Sequence, residues 1–77
     1  MSINRDYKKL LARIASNIKR LRKASGWTQE DMMDKGFNYR HFQKLESGNY
    51  SPNLQTLHRL AVTFKVEVVE FFSEEKS

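Results

Sequence analysis

Two helix-start signals in close succession constrain this chain more than any other feature. The stretch from Thr28 to Glu46 reads as two short helices joined at Gly36. Thr28 suits the N-cap of the first helix. Asp31, three residues on, supplies the acidic half of a capping box, in which each side chain satisfies the other residue's backbone N–H. Trp27 precedes that cap and Met32 follows at N4, the two positions of a hydrophobic staple. Base stacking is the alternative use of this single tryptophan. Asn38 opens the second helix, with Phe37 before it and Phe42 at N4 as a second staple. Phe42 and Leu45, three positions apart, point inward. Tyr39, Arg40, Gln43, Lys44 and Ser47 are left on the outer side.

The flanking sequence supplies the body that such a pair needs. Tyr7, Leu10, Leu11, Ile14, Ile18 and Leu21 recur at spacings of three and four, which marks one face of an amphipathic helix. Lys8, Lys9, Arg13, Lys19, Arg20 and Lys23 occupy most of its other faces. Asn4 or Asp6 is its candidate cap, and Gly26 suits the left-handed C′ position at its end. Gly48 is a natural stop for the third helix, and residues 48–53 read as a loop. The fourth helix starts at Asn53 as N-cap, or at Ser51 with Pro52 as N1. Leu54, Leu57, Leu60, Ala61 and Phe64 form its expected buried face. The segment from Val66 to Phe72 has strand propensity, but a lone strand has nothing to pair with here. A short fifth helix is therefore expected, followed by a frayed tail at 73–77. The reading is an all-α single domain over residues 1–77, with its core at about 7–72.

Composition narrows the function classes. Seventy-seven residues support one domain with a small core. The absence of cysteine excludes disulfides and thiolate metal sites. No apolar run approaches the roughly 20 residues that span a bilayer, and no apolar stretch follows the N-terminal charges as in a secretory signal. The net charge of +5 is unevenly placed. Met1 to Lys44 holds eleven Lys/Arg against four Asp/Glu, and Leu45 to Ser77 holds three against five. A basic front and a slightly acidic rear suggest a surface for a polyanion and a separate end that need not touch it. A solvated basic face is the plainer reading. A basic amphipathic helix also suits an anionic membrane, although the rest of the chain offers this one a core to pack on. His41 and His58 stand seventeen apart, outside any HExxH spacing, and there is no Gly-rich phosphate loop or hydrolase nucleophile motif. Neither an enzyme, a metal nor a cofactor is expected.

From about Ile18 to Phe72 the chain resembles the phage repressor and Cro-like (XRE-type) helix-turn-helix family. The matching pieces are Leu21-Arg22, Gly26-Trp27-Thr28-Gln29-Glu30, Gly36, Leu45-Glu46-Ser47-Gly48, and Pro52-Asn53-Leu54 with Leu57, Leu60 and Ala61. The resemblance implies a compact five-helix lambda-repressor-like DNA-binding domain with its helix-turn-helix at helices 2 and 3. It implies a sequence-specific transcriptional regulator, a repressor-type homodimer that reads a pseudo-palindromic operator in double-stranded DNA. The setting implied is cytoplasmic, bacterial or phage-encoded, and nucleoid-associated. Asn38, Tyr39, Arg40 and Lys44 would face the major groove, with Gln43 near the edge of that face. Thr28 and Gln29 would meet phosphates. Apart from the resemblance, the positive front offers Lys19, Arg20 and Lys35 as further contributors, and the loop residues Ser47, Asn49 and Tyr50 are candidates to bond backbone oxygens. Arg22 and Glu46 match a buried salt bridge. The apolar end, with Val68, Val69, Phe71 and Phe72, exceeds what a short closing helix needs, which makes these residues the dimer candidates. The other outcome is an antitoxin or bridging-factor-like module, with a toxin or the transcription machinery as its protein partner and DNA binding secondary. A chain this short would lack a ligand-sensing domain, so a signal would come from abundance, proteolysis or a partner. One departure stands out: the run Met32 to Gly36 is a residue shorter than the family pattern. The second helix must then end early, or Gly36 must sit differently.

Overall fold

The first helix, α1 (Ile3–Ala24), is the longest element by a factor of two. The computed structural model describes residues 3–74, so the end of the expected tail, 75–77, lies outside the described residues. Asn4 and Asp6 both fall inside α1 rather than at its cap. Leu11, Ile14, Ala15, Ile18 and Leu21 are buried along one face. Tyr7, expected on that face, is 47% exposed, and Leu10 only borders the core. The apolar stripe is continuous in sequence, but residues 5–9 are exposed throughout, so the helix outruns the core at this end.

Three further α-helices follow: α2 (Asp31–Asp34), α3 (Tyr39–Leu45) and α4 (Leu54–Phe64). The chain closes with a 3-10 helix, Val68–Phe72. No strand is present among the described residues. The β-branched closing segment is thus helical, tightened to i→i+3 bonds such as Glu70 N–H to Glu67 C=O at 3.0 Å. Asn53 is the cap of α4, its Oδ1 accepting from Thr56 N–H at 2.8 Å, which decides against a start at Ser51. Leu54 is 72% exposed, a correction to the expected buried face. It has the right periodicity but stands in the first position of α4, before the core begins.

The core takes side chains from every element. Ile18, Met32, Phe42, Leu45, Leu60 and Phe71 are almost wholly buried, each worth about 1.5–3 kcal/mol of apolar burial. Asn17 is buried among them. Its Nδ2 donates to the carbonyls of Phe71 at 3.0 Å and Ser73 at 2.8 Å, tying the closing helix to α1.

Three helices end alike. Trp27 N–H bonds Arg22 C=O, Phe37 N–H bonds Met32 C=O, and Val66 N–H bonds Ala61 C=O, each beside a shorter-range bond from the preceding residue. This is the Schellman closure, which puts one residue in the left-handed region. Gly26 and Gly36 fill that place after α1 and α2, but after α4 it is Lys65, at φ 59°. A lysine there carries a backbone cost that glycine avoids.

Candidate nucleic-acid interface

The α2–turn–α3 corner is built by the expected local signals. Asp31 N–H donates to Thr28 Oγ1 at 3.1 Å, and Thr28 N–H donates to Asp31 Oδ2 at 2.8 Å, so aspartate is long enough for the reciprocal bond. Two i→i−3 bonds, Met32 to Gln29 and Met33 to Glu30, wind the first turn before the α-helix proper starts at Asp31. Asn38 Oδ1 accepts from His41 N–H at 3.0 Å and caps α3. Phe37 and Phe42 meet edge to face at 5.9 Å. Trp27 reaches beyond its expected local partner Met32: its ring stacks on Phe64 of α4 at 6.0 Å, with Lys35 Nζ 4.3 Å from the ring centre.

The shortened run before Gly36 is absorbed at the end of α2. That α-helix is a single turn of four residues, and Gly36, at φ 93°, keeps the left-handed C′ place. Arg59 of α4 braces the turn. Its Nη2 donates to Gly36 C=O at 2.8 Å, and its guanidinium lies 4.4 Å from the centre of the Phe37 ring. No sequence pattern pointed to Arg59.

Beneath this corner lies a buried polar network. Arg22 donates from Nε to Glu46 Oε2 at 2.6 Å and from Nη2 to Glu46 Oε1 at 3.1 Å. Its Nη1 donates to Trp27 C=O at 2.8 Å. The two side chains are 8% and 4% exposed. Hydrogen bonding to Glu46 is the largest influence on Arg22; with the attraction of that carboxylate it outweighs desolvation and raises the pKa above the ordinary arginine value. Gln29 joins the network, its Nε2 donating to Glu46 Oε1 at 3.0 Å. One amide hydrogen of Gln29 is therefore engaged inside the protein, which leaves the second for an outside acceptor. Sequence reasoning missed this bond.

On α3, Phe42 and Leu45 are buried and Arg40, Gln43 and Lys44 are exposed, on the opposite side of the helix by its 3.6-residue period. Tyr39 is half-buried and shares a shallow cleft with Lys23, Thr28 and Gln29, so the start of α3 and the tip of α2 border one concavity. Asn38 is exposed, but its oxygen is spent on the cap. After α3 stops at Leu45, short of Gly48, the loop is knitted locally: Ser47 Oγ donates to Lys44 C=O at 2.7 Å and accepts from Asn49 N–H at 3.2 Å. His41, on the flank of α3, meets Tyr50 edge to face at 5.5 Å.

The dimer candidates divide. Phe71 is wholly buried and Val68 packs against the core, whereas Val69 and Phe72 are 70% and 37% exposed. They lie on the closing helix, away in sequence from the α2–α3 corner.

Two short capped helices on a glycine turn, braced by neighbours and presenting a basic outer face, define a helix-turn-helix protein. Over 58 residues the chain is 38% identical to a Sinorhizobium fredii protein named as an uncharacterized HTH-type transcriptional regulator, y4dJ, with 74% of this chain and 75% of that one covered. The chain belongs to the HTH-type transcriptional regulators. No protein-family model matches it, and no solved structure matches it. Among the described residues, no helix is long and apolar enough to cross a membrane.

Proposed function

We propose that this protein is a sequence-specific transcriptional regulator of the repressor and Cro-like type, which lays α3 in the major groove of double-stranded DNA and acts as a homodimer on a pseudo-palindromic operator. The observation that carries the reading is the outer face of α3. Arg40, Gln43 and Lys44 are exposed on a helix whose other side is locked into the core, and the Arg22–Glu46 pair ties that helix to α1.

Arg40 stands farthest from the buried face and is assigned to guanine, whose O6 and N7 accept its two parallel N–H bonds. Lys44 serves a base or a phosphate, and Gln43 has the amide pair that reads adenine. Tyr39, beside the α2 tip, offers its hydroxyl to a phosphate or its ring to a thymine methyl. Gln29 presents its remaining amide hydrogen and its backbone N–H, at a helix start, to a phosphate. Asn38 is mainly a cap. Thr28, Ser47 and Asn49 are assigned to the backbone-contacting edges: Thr28 keeps its hydroxyl hydrogen and Asn49 its side-chain amide for phosphates, and Ser47 must exchange its bond to Lys44 C=O for one. A single recognition helix discriminates few base pairs, so pairing through Val69 and Phe72 would double the footprint, with half-sites about 34 Å apart.

Arg40→Ala and Lys44→Ala test the assignment, with DNA retention measured over a set of duplexes. Arg40→Ala is expected to cost about 1–3 kcal/mol on the preferred site and to relax preference at one position. Unchanged binding by both variants would refute the placement of α3.

A further inference from the structure

Beyond the helix-turn-helix, α1 carries a second charged surface. Residues 5–9 of α1 stand clear of the core, and Arg5, Lys8 and Lys9 are exposed there. With Ala12 they line one shallow groove along the helix. Ala12 also marks where the loop after α3 rests on α1: a Cβ on Gly48 would lie 3.8 Å from the Cα of Ala12. Gly48 stands between Ser47 and Asn49, the loop residues assigned above to phosphates. Lys8 is thus one helical turn, about 5.4 Å, beyond a point that touches the interface loop.

The charges on this helix have different fates. Arg13 pairs with Glu74 at 3.4 Å, and Arg20 with Glu70 at 3.5 Å. No acidic partner lies within ion-pair distance of Lys8 or Lys9 among the described residues, although Lys9 also borders the groove that holds the Arg13–Glu74 pair. Burial and internal pairing therefore do not account for the two lysines. An anionic membrane is the weaker partner for them. A surface-lying helix needs a broad free apolar face, and here Tyr7 is the one apolar side chain of residues 5–9, the stripe from Leu10 onward being packed against the core.

We propose that the N-terminal turns of α1 form an auxiliary site for the DNA sugar–phosphate backbone, in which Lys8 and Lys9 hold phosphates adjacent to the one met by the α3–α4 loop. The site adds affinity and footprint length without reading sequence. It rests on the DNA-binding reading given above.

The test is the double variant Lys8→Gln/Lys9→Gln, measured with the unaltered chain on a duplex selected by that chain. Glutamine has nearly the helix propensity of lysine, so α1 stays intact, as circular dichroism checks. Each lost phosphate contact lowers the slope of log affinity against log salt by about 0.9. The expected result is a slope smaller by about 1.8, a shorter backbone footprint beside the loop contact, and an unchanged consensus. An unchanged slope and footprint overturn the auxiliary site while leaving the α3 assignment standing. Failure of the unaltered chain to prefer any duplex overturns the DNA reading itself. Loss of binding to vesicles of anionic phospholipid, with DNA binding unaltered, makes the surface a membrane contact and refutes the proposal.

Discussion

The two flanks of α1 use the same residue chemistry for opposite ends. On one flank Arg13, Asn17 and Arg20 are engaged with the closing segment through Glu74, the Phe71 and Ser73 carbonyls, and Glu70. On the other, Lys8, Lys19 and Lys23 fall at helical spacing with Ala12 and remain exposed. One cation beside that second flank, Arg22, is buried and neutralised by Glu46, and that pair joins α1 to α3. On the DNA-binding reading, this small domain keeps stability and binding on separate flanks of one helix. Charges that fasten the fold are paired or hydrogen-bonded, and those proposed for a polyanion, Lys8, Lys19 and Lys23, have no ion-pair partner among the described residues.

The hardest test of this contrast is Glu46→Ala. It strands a buried guanidinium, and removing one partner of a buried pair costs about 3 kcal/mol or more. Against the total stability of a small domain, about 5–15 kcal/mol, that is a large loss, visible as a lower urea midpoint. The raised Arg22 pKa adds a sign. Stability from a raised value is present below the ordinary arginine pKa and is lost only as pH climbs through the still higher folded value. Moderate alkali should therefore not open the pair from the arginine side.

Asn17→Ala comes next. It leaves the Phe71 and Ser73 carbonyls without their donor, at about 1–3 kcal/mol. Hydrogen exchange should quicken in the closing helix while the salt slope of DNA binding stays as it was. A changed slope with unchanged exchange would break the division of the two flanks. The smallest effects on stability separate them most sharply. Arg20, expected among the phosphate contributors, is held by Glu70, so Arg13→Gln and Arg20→Gln remove partly exposed pairs worth below about 1 kcal/mol and should barely alter DNA binding. Lys19→Gln/Lys23→Gln should shift stability by no more than about 0.5 kcal/mol yet lower the salt slope by up to about 1.8.

Local chemistry in the sequence announced much of this fold. Thr28 with Asp31, Asn38, Phe37 with Phe42, and Gly26 act within a few residues of themselves, so their spacing alone shows what they do. Periodicity likewise marked the buried faces of α1 and α4. It failed at the ends, at Tyr7 and Leu54, because a helical stripe records which side is apolar and not where the neighbouring helices stop. Long-range partners were the least legible. Asn17 looks like any polar flank residue until the closing helix returns its carbonyls. Arg59 looks solvated until Gly36 is placed beside it. Gln29 has the sequence context of a phosphate ligand, and its bond to Glu46 depends on how α2 and α3 are set against each other. The shortened run before Gly36 left that setting open, and the structure resolves it with a one-turn α2.

In the function proposed above, α3 reads DNA sequence from its Arg40–Lys44 face. Selection of bound duplexes from a random pool, run in parallel with the unaltered chain and Arg40→Ala, tests it most directly. The expected result is a palindromic consensus with half-sites about one helical turn apart, and loss of preference at one position of each half-site for the variant. The same consensus from both proteins, or no enrichment from either, would contradict it.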